Sequence, residues 1–159
     1  MTPAQTAAIK ADILANADLN VFPNTLDGAF GIAELYRLNA SPAVTVWKTN
    51  VTVDTVGKVI VATSLAALVT ADSTRLGVIV ALNPGGFNPS RPDQRTFFDD
   101  VFSAVAGAPT RTALLALWKR LALRIEKLMA TGTGSDASPA TLTWEGPIAY
   151  QDVYTARNS

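Results

Sequence analysis

At 159 residues the chain has the length for one compact hydrophobic core and is short for two ordinary domains. Apolar residues make up 48% and charged residues 16%, which excludes a disordered chain. There is no histidine, no cysteine and no formal net charge, so disulfides, thiolate ligands and a whole-molecule attraction to nucleic acid or anionic lipid are excluded as well.

These absences argue against an enzyme and for a structural protein that packs against copies of itself and against partners. The first residues, Met1-Thr2-Pro3-Ala4-Gln5, lack the basic flank and apolar run of a signal peptide, and no stretch reaches the length of a membrane span. The chain is therefore expected to be soluble where it is made, with no membrane partner and no cofactor or metal.

In chain order, Thr2 followed by Pro3 and Gln5 predicts a capping box and a helix to about Asn16. A turn is expected over Asp18 to Asn24. A second helix follows with Ile32, Leu35, Tyr36 and Leu38 on one face, weakened by Gly28 and Gly31. Ser41-Pro42 ends it, and Val44 to Thr49 reads as a short extended segment. From Val51 to Leu82 three short helices are predicted, with Thr52 and Ser64 as N-caps; the alternative for Val59 to Ala62 is a strand. Asn83 to Pro89, with two prolines and two glycines, is a loop.

The next helix carries Phe97, Phe98, Val101 and Phe102 and stops near Gly107-Ala108-Pro109. Thr110 is then expected to cap the longest helix, reaching about Met129, with Leu114, Leu117, Trp118, Leu121, Ile125 and Leu128 facing the core. Thr131 to Pro139 is a glycine-, serine- and threonine-rich linker. Beyond it, alternation through Thr141 to Glu145, and again at Ile148, Tyr150 and Val153, predicts strand-like structure. The reading is thus a mainly α, single-domain helical bundle with short β segments, a core domain over residues 1–130 and a linker with an extended C-terminal arm over residues 131–159.

Motifs that suggest chemistry are outweighed by simpler accounts. Gly132-Thr133-Gly134-Ser135 follows a helix and has no lysine, so it is a helix end running into a linker and not a phosphate loop. Asp99 and Asp100 are adjacent, which turns them about 100° apart on a helix, and Arg95 four residues before Asp99 suggests a surface ion pair. A nucleophilic serine would need lysine as its base, and no Ser-x-x-Lys spacing occurs.

Two features point to partners. Arg120, Arg124 and Lys127 fall on one face of the predicted long helix, either as its solvated side or as a surface for DNA phosphates or an acidic neighbour. Leu142, Trp144, Ile148, Tyr150 and Tyr154 lie beyond a flexible linker, where they either fold back on their own domain or anchor an arm between subunits.

Several stretches together carry a resemblance: Asp27-Gly28-Ala29 leading to Ile32-Ala33 and Leu38-Asn39, and Val46-Trp47-Lys48-Thr49. The strongest is Arg124-x-Glu126-Lys127-Leu128-Met129-Ala130-Thr131-Gly132-Thr133-Gly134, followed by Pro139-Ala140-Thr141-Leu142-Thr143-Trp144-Glu145-Gly146 and Asp152-Val153. In these the chain resembles small virion proteins of tailed bacteriophages from the head and neck region, in particular head-to-tail adaptors (connectors). The resemblance implies a homo-oligomeric ring, a dodecamer, beneath the portal, with helices side by side and a terminal arm embracing a neighbour. The implied partners are other copies, the portal, tail or nozzle proteins, and packaged DNA by non-specific contact. The implied place is the head-to-tail interface of a virion assembled in the host cytoplasm. Tail-terminator, tail-tube or capsid-decorating proteins are alternatives that call for longer alternating strands, and a nucleic-acid-binding module would call for a basic surplus.

Overall fold

The capping box expected at the N-terminus is formed: Thr2 Oγ1 accepts the Gln5 N–H at 3.2 Å while Gln5 Oε1 accepts the Thr2 N–H at 2.8 Å. It starts α1 (Pro3–Ala15), the first of ten α-helices in a computed structural model that describes residues 1–159. The fold is mainly α, as the periodicity indicates. It comprises two compact units, residues 1–46 with 121–159, and residues 47–120, so the second is an insertion in the first. The division does not fall at residue 130, and residues 131–159 belong to the first unit.

In the first unit, α1 is followed by a short α2 (Ala17–Asn20), where only a turn was expected, and by α3 (Leu26–Tyr36). Thr25 caps α3 by accepting the Gly28 N–H at 3.1 Å. Glycine at position 28 lets the Pro23 carbonyl approach: a Cβ there would stand 2.0 Å from that oxygen. After the insertion come α9 (Arg124–Leu128), the paired strands β3 (Ala130–Thr131) and β4 (Thr141–Leu142), and α10 (Tyr150–Asn158).

Ile9, Ile13, Leu19, Ile32, Tyr36, Ile125, Ile148, Val153 and Ala156 close the core of this unit. The C-terminal segment is therefore neither an extended arm nor a strand over Ile148 to Val153. It ends in a helix that packs on α1 and α3. Arg157 ties it further, its guanidinium donating to the carbonyls of Pro23 at 2.8 Å and Phe22 at 3.0 Å. Period-two alternation over so few residues did not separate strand from helix, and the apolar face of α10 has its partners more than a hundred residues earlier.

The inserted unit holds α4 (Val53–Val59), α5 (Ala62–Ala66), α6 (Thr70–Leu82), α7 (Pro92–Val101), a 3-10 turn (Val105–Gly107) and α8 (Ala108–Trp118). The three short helices after Val51 are present. Thr52 caps the first, accepting the Thr55 N–H at 3.2 Å. Ser64 is not a cap: it is buried inside α5 and its hydroxyl donates to the Ala106 carbonyl at 2.6 Å. Phe98 is the hub of this core, edge-on to Phe87, Phe97 and Trp118 at centroid distances of 5.0 to 5.4 Å. Arg95 does not close an ion pair with Asp99; its guanidinium lies 4.2 Å from the centre of the Trp47 ring and donates to the Pro89 carbonyl.

The predicted long helix over Thr110 to Met129 is broken. Helix α8 ends at Trp118, β2 (Lys119–Leu121) follows and pairs with β1 (Thr45–Trp47), and α9 resumes at Arg124. Thr110 sits within α8, where its hydroxyl accepts the Val61 N–H at 3.0 Å. Backbone partners distant in sequence account for the break: Ala122 donates to Val44 O at 2.8 Å and accepts from Ala40 N at 2.9 Å, and Arg124 N donates to Leu38 O at 2.8 Å. These bonds give the backbone groups partners outside a helix, so helical propensity does not decide the segment. Leu121, expected in the core, is 51% exposed.

Candidate functional site

The break in the long helix separates the basic residues. Arg124 and Lys127 lie one turn apart on α9, whereas Arg120 is on β2 in the other unit. The three do not lie on one helix. Arg124 forks the Asp18 carboxylate, with Nη2 donating at 3.1 Å and Nη1 also bonded. Its charge lies 5.9 Å from the centre of the Tyr36 ring. Lys127 Nζ donates to the Ser41 carbonyl at 3.1 Å.

Arg124 and Lys127 border a cleft of about 610 Å³ in the first unit, with Asp12, Asn16 and Asp18 among its lining groups and Leu35 and Leu128 adding apolar surface. The polar groups are held in place. Asp12 accepts from the Tyr36 hydroxyl at 2.9 Å and from Asn16 Nδ2 at 2.9 Å. Burial, and then the Asp12 charge, push the Tyr36 phenol well above its ordinary range, so it stays a donor. The hydrogen bond from Arg124 holds the Asp18 carboxyl below the usual carboxylate value and raises Arg124 in turn. The cleft carries two carboxylates, two cations and the Ser41 residue, and its charged side chains are bonded to neighbouring side chains or, for Lys127, to the Ser41 carbonyl.

Glu126, two residues after Arg124, is wholly buried. Its Oε2 accepts the Leu123 N–H and its Oε1 the Gly146 N–H, both at 2.8 Å. The Arg-x-Glu-Lys run is thus a structural clamp in which each side chain is bonded to a different part of the unit. The glycines that follow have a similar role. Gly134 takes φ +68°, where a Cβ would stand 2.5 Å from Val44 Cγ1, and its carbonyl accepts the Thr45 N–H at 2.7 Å.

Of the five aromatic and aliphatic residues beyond the linker, Leu142, Trp144, Ile148 and Tyr150 pack on their own unit, to different depths. Ile148 is fully buried. Trp144 rests half-buried on the core with Nε1 donating to Gly146 O at 3.2 Å, and Leu142 pairs with Ala130 across β3 and β4. Tyr150 is edge-on to Phe30 at 6.2 Å, and Tyr154 is 37% exposed. Two residues that no sequence motif marks join them on α3: Leu26 at 54% and Phe30 at 53% exposure. Leu26–Phe30 and Tyr150–Tyr154 are both spaced i, i+4, so each pair lies along one face of its helix, and α3 packs against α10. The spacing was readable in each helix, but the adjacency of the helices was not.

No family model, curated protein or solved structure matches the chain.

Proposed function

We propose that the protein is a structural component of a tailed-phage virion, a head-to-tail adaptor that assembles as a ring between the portal and the tail. The observation that carries this reading is the stripe along α3 and α10 in which Leu26, Phe30 and Tyr154 are exposed and the half-buried Tyr150 is edge-on to Phe30, while the charges of the cleft are already paired or hydrogen-bonded. Apolar and aromatic side chains held on two packed helices are the material of a protein interface. The sequence resemblance supplies the setting. The two- and three-residue strands weigh against a tail-tube or tail-terminator role, which calls for long paired strands.

In this reading the stripe, and not a free arm, is the surface that meets the next subunit or the portal. The test is assembly of the purified chain with portal rings, followed by native mass spectrometry and electron microscopy. The wild type is expected to add a ring, and the double variant Phe30→Asp, Tyr154→Asp to remain folded and unattached. A wild-type chain that never associates with portal, or a double variant that assembles normally, overturns the reading.

A further inference from the structure

The helices of the inserted unit pack on one another: α4 and α5 rest on α8, α5 on the 3-10 turn, and α6 on α7. Its core is its own, with Val56, Phe87, Phe98, Phe102, Leu114 and Trp118 buried in it. Its two ends are held by a bond of its own, because the Lys48 N–H donates to the Trp118 carbonyl at 2.8 Å. The first unit closes separately, where the chain leaves and re-enters it. There the Ala122 N–H donates to the Val44 carbonyl at 2.8 Å, and Val46, Ala122 and Ala140 are buried together. The change of core is abrupt: Val46 belongs to the cluster of Ala122, and the next residue, Trp47, to that of Phe98 and Trp118. Each unit thus has its own apolar cluster and its own closing hydrogen bond.

We infer that the inserted unit opens and closes as a separate cooperative unit, while the first unit keeps its fold with the insertion unfolded. Cooperativity follows shared burial: losing one member of a packed cluster exposes its neighbours, and a cluster that shares no member with it does not feel that loss. For the first unit, an unfolded insertion is a long loop whose two ends are fixed. The entropy cost of closing such a loop grows only with the logarithm of its length, so a long unfolded insertion is tolerated. The inserted unit is one continuous stretch, residues 47–120, and needs no remote segment to complete its core. Helices α3 and α10 belong to the first unit, so the stripe along them stays in place when the insertion opens. This independence of the two units holds whether or not the chain is an adaptor.

Hydrogen exchange of the full chain, resolved by mass spectrometry of its peptic fragments, reads the two units separately. Phe98→Ala removes the ring that meets Phe87, Phe97 and Trp118. It should speed exchange in α4, α7 and α8 roughly a hundredfold or more, and leave α1, α3 and α10 within about twofold of the wild type. Phe98→Leu, a milder change, should act on the same three helices to a smaller extent. Ile32→Val, in the core of the first unit, should speed exchange severalfold in α1, α3 and α10 and leave α4, α7 and α8 unchanged. If Phe98→Ala accelerates α1, α3 and α10 as much as α4, α7 and α8, the chain is one cooperative unit and the inference is overturned. Acceleration of α4, α7 and α8 by Ile32→Val, or protection there that survives Phe98→Ala intact, would overturn it as well.

Discussion

The buried carboxylate of Glu126 accepts the main-chain N–H of Gly146 at 2.8 Å and so fastens the start of α9 to the segment that leads into α10. The same side chain accepts the Leu123 N–H, the acidic half of a capping box whose other half leucine cannot supply. One residue thus satisfies two backbone donors from places 23 residues apart in the chain.

Glu126→Ala should therefore destabilise the first unit by about 3–5 kcal/mol, since it strands two donors and leaves a cavity. Glu126→Gln keeps one carbonyl acceptor and should lose distinctly less. Chemical denaturation of the two variants checks both the size and the order.

Leu121→Ala should cost under about 1 kcal/mol, because that side chain is half exposed. Ile125→Ala, four residues later and fully buried, should cost about 2–5 kcal/mol. A continuous helix through both positions would make the two costs alike. Unfolding midpoints of the pair therefore report directly on the break between α8 and α9.

Deleting residues 149–159 should unfold the first unit and not merely release an arm, because Val153 and Ala156 are part of its core and Arg157 is bonded to the Phe22 and Pro23 carbonyls. Thermal melting and hydrogen exchange should show loss of protection in α1 and α3. Retention of native protection in both helices would mean that α10 adds nothing to that core.

The pair between Asp18 and Arg124 predicts a small acid-sensitive contribution. The folded-state value of Asp18 lies below its ordinary 3.8, so its stabilisation is present above that value and is lost as pH falls through the lower folded value. Asp18→Asn should remove this contribution and make stability less steep on the acid side below about pH 4. An NMR titration of Asp18 with and without Arg124→Gln checks the cause: the variant should return the carboxyl toward 3.8.

What the sequence determined by itself is local. The Thr2–Gln5 box, the Thr52 cap, the loop over Asn83 to Pro89 and the aromatic face of α7 depend on residues within a few positions of one another, so their chemistry can be read in order. The tertiary structure decided the rest by supplying partners from far away. Leu121-Ala122-Leu123 has the composition of a helix, yet the carbonyls of Val44 and Leu38 and the N–H of Ala40 claim this stretch and the neighbouring Arg124 N–H. Arg124, Glu126 and Lys127 were visible as a motif, but their separate bonds to Asp18, Gly146 and Ser41 were not. The same is true of the stripe on α3 and α10: Tyr150 meets Phe30 only because the last helix, more than a hundred residues on, buries its apolar side against α3. Burial of apolar area joins segments without regard to their separation in the chain, and one sequence carries no direct record of which segments meet.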